Sequence, residues 1–494
     1  MSKRFIVALD EGTTSARAAV YDLEQGKFVR VVNQAFGQIY PRPGWVEQDL
    51  NELYAAQVAA LNDAVILAGI RPAEILSVGI TNQRETVCLW DAETGEPACR
   101  AIGWQCRRSA PLCERLRADG LGPEIFQRTG LTLDAYFSAS KLRWALDHEP
   151  KVQELLRKNR LRAGTVDSFL IWRLTEGRSF VTDPTNASRT MLYNLSEGRW
   201  DSRLLELFGV PANILPEVVP SDGFLGETIV LGQPVPLCGA AGDQQAALFG
   251  QGCLSPGTVK NTYGTGCFLL SNLGGEPSLS QDRLLTTVAY AAGGGVCYAR
   301  EGSVFHAGSA VQWLRDGLGI IRSAAEIEAA ARSVDSANGV YVVPAFTGLG
   351  APYWDMEARG IITGLTRGTD RRHLCRAVLE SIAYRSRDVL EEMKKDLPLS
   401  RLYADGGASA NDFLMQFQAD IAGIPVLRRS VTESTALGAV CLSALGMRVF
   451  SGLGAVADLP REEKVFEPSM PGSTREALYA GWKEAVSRSL SGRA

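Results

Sequence analysis

Two strand-like runs in this chain end in glycine- and threonine-rich turns, and they lie in opposite halves. Phe5-Ile6-Val7-Ala8-Leu9 stops at Asp10-Glu11-Gly12-Thr13-Thr14-Ser15, and Val259-Lys260-Asn261-Thr262-Tyr263 runs into Gly264-Thr265-Gly266. Each turn is followed by a second apolar run, Ala18-Ala19-Val20-Tyr21 and Cys267-Phe268-Leu269-Leu270. Glycine lets the backbone approach and bend freely, so such a turn offers N–H groups and hydroxyls to a phosphate. A single copy reads as a plain hairpin. Two copies, the first opened by an acid able to face a metal, predict a nucleotide clamped between two related domains. A third stretch agrees: Leu402-Tyr403-Ala404-Asp405-Gly406-Gly407 leads through Asn411 into the helically spaced Asp412-Phe413-Leu414-Met415-Gln416-Phe417-Gln418. A Gly-Gly turn opening onto a helix suits an adenine ring or a phosphate near the positive helix end.

At 494 residues the chain exceeds what one core supports, so two or more domains are expected. Residues 5–34 read as an antiparallel meander, 51–68 as a helix and 75–81 as a buried strand. A meander followed by helix–strand alternation predicts a mixed sheet with helices on both faces. The turn-rich stretch around Gly250-Gln251-Gly252 and Ser255-Pro256-Gly257 marks a junction, dividing the chain into domains 1–252 and 253–494. The second half repeats the order: a meander over 258–298, a helix near 309–317, a strand at 340–343, a long helix over 371–395, then a strand at 401–404 and the helix after Asn411. The fold class is α/β, two domains with mixed sheets and a cleft between them.

A net charge of −4 argues against a general nucleic-acid binder. The most apolar stretch, 436–445, is far below a membrane-spanning length and reads as a buried helix, so no stable membrane insertion is expected. The ten cysteines fall singly and only three histidines exist, which disfavours a zinc site and fits buried thiols in a reducing cytoplasm. The N-terminus reaches an acid at Asp10, too soon for a secretory apolar region. P-loop, Rossmann, zincin and nucleophile-elbow signatures are all missing.

What remains are acids and polar clusters at the ends of apolar runs. Asp243, in Ala240-Ala241-Gly242-Asp243-Gln244-Gln245, stands where a loop enters a helix. It reads either as a helix cap or as the carboxylate that takes a proton from an attacking hydroxyl. Thr81-Asn82-Gln83-Arg84-Glu85-Thr86 follows a buried strand directly, so Arg84 and Glu85 form a surface pair or serve a polyol. Trp104 and Tyr136 add aromatic faces, for a core or for a pocket.

Together these residues resemble the FGGY carbohydrate kinase family from position 5 to about 485. The stretches Asp10 to Arg17, Gly79 to Thr86, Trp104 to Arg108, Gly242 to Gly250 and Asn261 to Phe268 are the most specific. Tyr136 to Trp144, and Gly348 to Asp355 with Gly364-Leu365-Thr366, look like the two family signatures. Arg84-Glu85, Trp104 and Tyr136 match the members that phosphorylate glycerol. The resemblance implies a ribonuclease-H-like fold duplicated as in actin and hexokinase, with ATP and Mg²⁺ in the cleft. By position, it implies that Arg84, Glu85, Tyr136, Asp243 and Gln244 hold glycerol's hydroxyls, with Trp104 and Phe268 against its carbons. Thr13, Thr14, Ser15 and Arg17 would meet the terminal phosphates, and Thr265, Gly308, Gln312, Gly407 and Asn411 the rest of the nucleotide. Asp10 and Asp243 would face Mg²⁺, and Asp243 would be the catalytic base. A homodimer or homotetramer is expected.

Two positions depart from the family. Position 11 is Glu where glutamine is common, and an extra carboxylate there would tighten metal binding or repel ATP. Residues 226–236 carry neither the glycine- and basic-rich segment that binds fructose 1,6-bisphosphate in some bacterial members nor the histidine phosphorylated in others. Two rival functions are a kinase for a pentulose or gluconate and, from another class, an actin-like nucleotide switch, because fold alone does not decide function.

Overall fold

The computed structural model describes residues 3–279, 283–429, 433–460 and 463–492. The first meander forms as expected: β1 (Phe5–Glu11), β2 (Ser15–Asp22) and β3 (Lys27–Ala35) pair antiparallel through short turns. The helix α1 (Leu50–Ala68) starts where the Asp49 carboxylate accepts from the N–H groups of Asn51 and Glu52, and it ends at Gly69 in the left-handed region. β4 (Ile75–Asn82) then pairs parallel to β1. After a long excursion, β5 (Phe224–Thr228) and β6 (Val235–Gly242) close the sheet, with β6 parallel to β4 and α2 (Asp243–Gly250) following it. The strand order is β5-β6-β4-β1-β2-β3.

The second half repeats this plan. β7 (Thr258–Tyr263), β8 (Cys267–Gly274), β9 (Leu285–Ala292) and β10 (Gly295–Val304) make the antiparallel part. A short helix α3 (Gly308–Gln312) and the long α4 (Arg371–Met393) lead to β11 (Arg401–Asp405), α5 (Asp412–Ala422) and β12 (Val426–Arg429). β11 is parallel to β7 and to β12. After α6 (Ser434–Gly446), β13 (Glu463–Phe466) completes the order β9-β10-β8-β7-β11-β12-β13. In both sheets an antiparallel meander is extended by two parallel strands, beyond which an antiparallel strand forms the edge. This is the duplicated ribonuclease-H-like arrangement.

Two elements depart from the expected order. The strand near 340–343 does not enter the second sheet; Tyr341–Val343 pairs with Ile361–Thr363 as a separate two-stranded ribbon. The apolar helix α6, although it lies between two strands of the second sheet in sequence, packs on the first. Ser443 Oγ lies 2.6 Å from Ser77 Oγ of β4, and a Cβ on Gly438 would stand 1.9 Å from the Ala246 carbonyl of α2. That approach is open only to glycine, and it seats α2, with Asp243 at its start, firmly against the first sheet.

The excursion between β4 and β5 has its own apolar core, which includes Leu89, Ile125, Phe137, Leu142 and Leu192. It carries Trp104, Tyr136 and Arg189 over the end of the first sheet.

Candidate active site

The carboxyl ends of parallel strands open on one edge of a sheet, where ligands of α/β folds bind. Because β1, β4 and β6 run parallel, Asp10, the Arg84–Glu85 pair and Asp243 arrive at the same edge. Thr86 donates its N–H to the Arg84 carbonyl at 2.8 Å, closing a tight turn that leaves Glu85 at a φ of 61°. A non-glycine residue in that region is strained, and such strain collects at functional sites.

Arg84 is buried, and its guanidinium is largely committed. Nη1 donates to Glu301 Oε2 at 2.7 Å and to Gln245 at 3.1 Å, and Nη2 donates to Glu301 Oε1 at 2.9 Å. Nε faces the remaining gap, 3.5 Å from Asp243 and 3.7 Å from Glu85. Arg189 joins the cluster, donating to Glu85 at 2.6 Å and to Glu301 at 3.0 Å. Burial alone would raise the Glu301 carboxyl, but Arg189 and Arg84 outweigh it and hold it down to about 2. Glu85 has the same two arginines, yet burial and the nearby Glu301 leave its carboxyl above the ordinary value. Sequence reasoning missed Arg189 and Glu301; the only local signal for the latter was an Arg300-Glu301 pair within β10.

The aromatic wall also forms. The Trp104 and Tyr136 rings meet edge to face at 5.6 Å, and Trp104 Nε1 donates to Thr13 Oγ1 at 3.2 Å. The fully buried Lys141 donates to the Tyr136 carbonyl at 2.6 Å, which fixes that turn. Phe268 pairs with Ser303 across the second sheet while Leu270 pairs with Glu301. Phe268 therefore shares the face of Glu301, one cross-strand step away.

At the phosphate-like turn, Gly12 N–H donates to the Ser15 carbonyl at 3.0 Å, and Thr14 is exposed. Arg17, paired opposite Asp10, lies 3.9 Å from that carboxylate, contacts the Glu433 carboxylate and donates to Asn33 at 2.7 Å. Burial pushes the Asp10 carboxyl up to about 7; Arg17 opposes this, while Asp243 and Glu433 add to it. Carboxylates repelling one another at one edge suit a hard cation carried by phosphates, which needs only one or two protein carboxylates.

Glu11 does not behave as an extra phosphate-loop charge. Strand alternation turns it away from Asp10, onto the face where Val7 and Leu9 enter the core. It is fully buried, neither carboxylate oxygen has a partner, and burial raises its carboxyl well above the usual range. Its side chain therefore points into the core, away from the cleft edge where Asp10 lies.

The second turn lies beside a cavity of about 520 Å³ lined by Thr265, Gly308, Gln312, Gly407 and Asn411. All five expected nucleotide residues therefore gather there. A Cβ on Gly407 would meet nothing within 4 Å, so protein packing does not require its bareness and room is left for a flat ring. Asn411 caps α5, accepting from Leu414 N–H at 2.9 Å. The opposite wall, with Val311, Arg315, Ile327 and Glu328, carried no local motif and was missed.

The paired sheets, the phosphate-like turns and the acid at the cleft define a phosphotransferase with the actin and hexokinase type of fold. The models of the N-terminal and C-terminal domains of the FGGY family of carbohydrate kinases match residues 5–250 and 259–447. The chain belongs to the FGGY family of carbohydrate kinases. It is 54% identical over 492 residues to a glycerol kinase of Symbiobacterium thermophilum, covering 99% of each, and 54% identical over 491 residues to glycerol kinase 2 of Thermotoga maritima, again covering 99% of each. The crystal structure of Plasmodium falciparum glycerol kinase with ADP superposes with a TM-score of 0.93 at 33% identity, covering 99% of both chains.

Proposed function

We propose that this chain transfers the γ-phosphoryl group of ATP to a terminal hydroxyl of glycerol, giving ADP and sn-glycerol 3-phosphate. The observation that carries this reading is the placement of Asp243. Its side chain is 32% exposed at the cleft, 3.5 Å from Arg84, and electrostatically linked to Asp10. The carboxylate thus stands beside the buried Arg84–Glu85 cluster and near the first turn's Asp10, which supports its serving a hydroxyl and a phosphate together.

Glycerol's hydroxyls fit against Arg84 Nε, Glu85, Tyr136, Gln244 and Asp243, with its carbons between Trp104 and Phe268. Asp243 accepts the hydroxyl proton as that oxygen forms its bond to the γ-phosphorus. The bond from the γ-phosphorus to the β,γ-bridging oxygen breaks, and ADP leaves with that oxygen. Thr13, Thr14, Ser15 and Arg17 stabilise the charge on the phosphoryl oxygens, because phosphoryl transfer asks the protein chiefly for positioning and electrostatics. Asp10 and Asp243 would hold Mg²⁺, which neutralises phosphate charge when bound. Thr265, Gly308, Gln312, Gly407 and Asn411 hold the rest of the nucleotide. Residues 1–252 then serve as the glycerol and phosphate domain, and residues 253–494 as the nucleotide domain.

Nine of the ten cysteines are buried, as suits thiols kept in a reducing cytoplasm; no described helix is long and apolar enough to cross a membrane. A homodimer or homotetramer is supported by the apolar exposure of Trp354, Met356, Ile362 and Leu365 on and beside the two-stranded ribbon. The deciding experiment is a coupled assay of ADP release with ATP and a panel of polyols, pentuloses and gluconate. Glycerol should stimulate it most. Equal release without any acceptor would favour a nucleotide switch, and preference for a pentulose or gluconate would move the chain to another branch of the family.

A further inference from the structure

The ammonium of Lys260 has no role in the chemistry described above. Lys260 stands on β7 in one cross-strand row with Leu270 of β8 and Glu301 of β10, and its side chain is fully buried. Its Nζ crosses to the other half of the molecule, donating to Gln244 Oε1 at 2.6 Å. An ammonium only donates, so the Gln244 amide can turn only its oxygen toward it. The amide nitrogen is thereby committed to the other side, where Nε2 donates to Asp243 Oδ2 at 3.3 Å. The other oxygen, Oδ1, accepts from the Gln244 backbone N–H at 2.8 Å. Burying a cation is costly, and an apolar side chain of the same length would fill this space without that cost. Packing therefore does not account for lysine here; its charge lies among Asp405, Asp243 and Glu301, and its one hydrogen bond to a side chain fixes the direction of Gln244.

We propose that Lys260 is a positioning residue for phosphoryl transfer: reaching across the cleft, it locks the Gln244 amide so that this amide holds the Asp243 carboxylate in the orientation that receives the hydroxyl proton. The inference rests on Asp243 being the base. It also ties orientation of the base to the joining of the two halves, because Lys260 belongs to the second sheet and Asp243 to the first.

The test is steady-state kinetics on Lys260→Met, Gln244→Ala, their double variant and Asp243→Asn, with thermal melting of each. Each of the first two should lower kcat by about 10-fold or more, with the KM for ATP within about 2-fold, as misorientation of one reacting group costs. The double variant should be no slower than the worse single one, since both act along one path. Lys260→Gln, whose amide can still donate to Gln244, should recover turnover relative to Lys260→Met. If Lys260→Met melts below the assay temperature, Lys260→Leu, which also lacks the donor, replaces it in the cycle, and non-additivity remains the deciding result. Losses that multiply in the double variant, or a parental kcat in Lys260→Met, overturn the inference. An inactive Asp243→Asn beside a normal Lys260→Met removes this inference alone; an active Asp243→Asn removes the base assignment beneath it.

Discussion

Asp243 is the first residue of its helix, one place beyond the cap position Gly242, and it makes no capping hydrogen bond; one of its oxygens accepts from the Gln244 N–H, so the alternative reading of this acid as a helix cap fails. Asp243→Asn keeps the shape and the hydrogen bond to that N–H but loses the base. Turnover should fall by a factor on the order of 10² to 10⁴ while melting stays near parental, since a positioned general base contributes that much. Near-normal turnover would remove the assignment. Glu11 is the opposite case, a carboxyl buried in the core with no partner for either oxygen. Its folded value is raised above 4.5, so folding must take up a proton once the unfolded chain is ionised. The contribution to stability is complete below about that pH and declines as pH rises toward the folded value, by about 1.4 kcal/mol per unit. Glu11→Gln removes this loss. The variant should melt higher than the parent at pH 8, with the difference shrinking toward pH 5; an unchanged gap across that range would show that Glu11 folds ionised.

Among the elements, the connection from β5 to β6 bears on regulation. Residues 226–236 contain no lysine or arginine, and two prolines there lack N–H groups. Its register shifts beside Gly226, at a φ of 126° against Thr175, and Glu227 of this stretch is exposed. A phosphorylated sugar needs converging N–H groups or cations, so activity should stay flat through a millimolar titration of fructose 1,6-bisphosphate at saturating substrates. Saturable inhibition would locate an effector site elsewhere. Elements also explain the close seating of α2: glycines on α2 and α6 let the two backbones meet, as at Gly250, where a Cβ would stand 2.1 Å from the Ser434 carbonyl.

At the scale of the molecule, the Arg84–Glu85 cluster, proposed to hold glycerol, is also the seam between the halves. Arg84 and Arg189 reach Glu301 of the second sheet, and Gln251 donates to Asp405 at 3.2 Å. Arg84→Ala should therefore weaken glycerol binding far more than ATP binding, because the cavity near Gly407 and Asn411 lies on the other side of this seam. It strands part of a buried ion network as well, so a lower melting temperature should accompany it. Calorimetric titration with each ligand checks this; equal losses for both would assign Arg84 a structural role alone.

The sequence by itself determined the two meanders, the phosphate-like turns, the helix starts at Asp243 and Asn411, and the polar residues at strand ends. These rest on local physics: apolar runs, glycine freedom and caps act within a few residues. Tertiary structure alone decided that Glu11 enters the core while Asp10 faces the cleft, because alternation defines two faces but packing chooses which is covered. It also decided that α6 returns to the first sheet and that Tyr341–Val343 stays outside the second. Above all, it joined Arg84 and Arg189 from the first half with Lys260 and Glu301 from the second. Buried charges are tolerated only beside partners, and partners this distant in sequence meet only when both halves have folded.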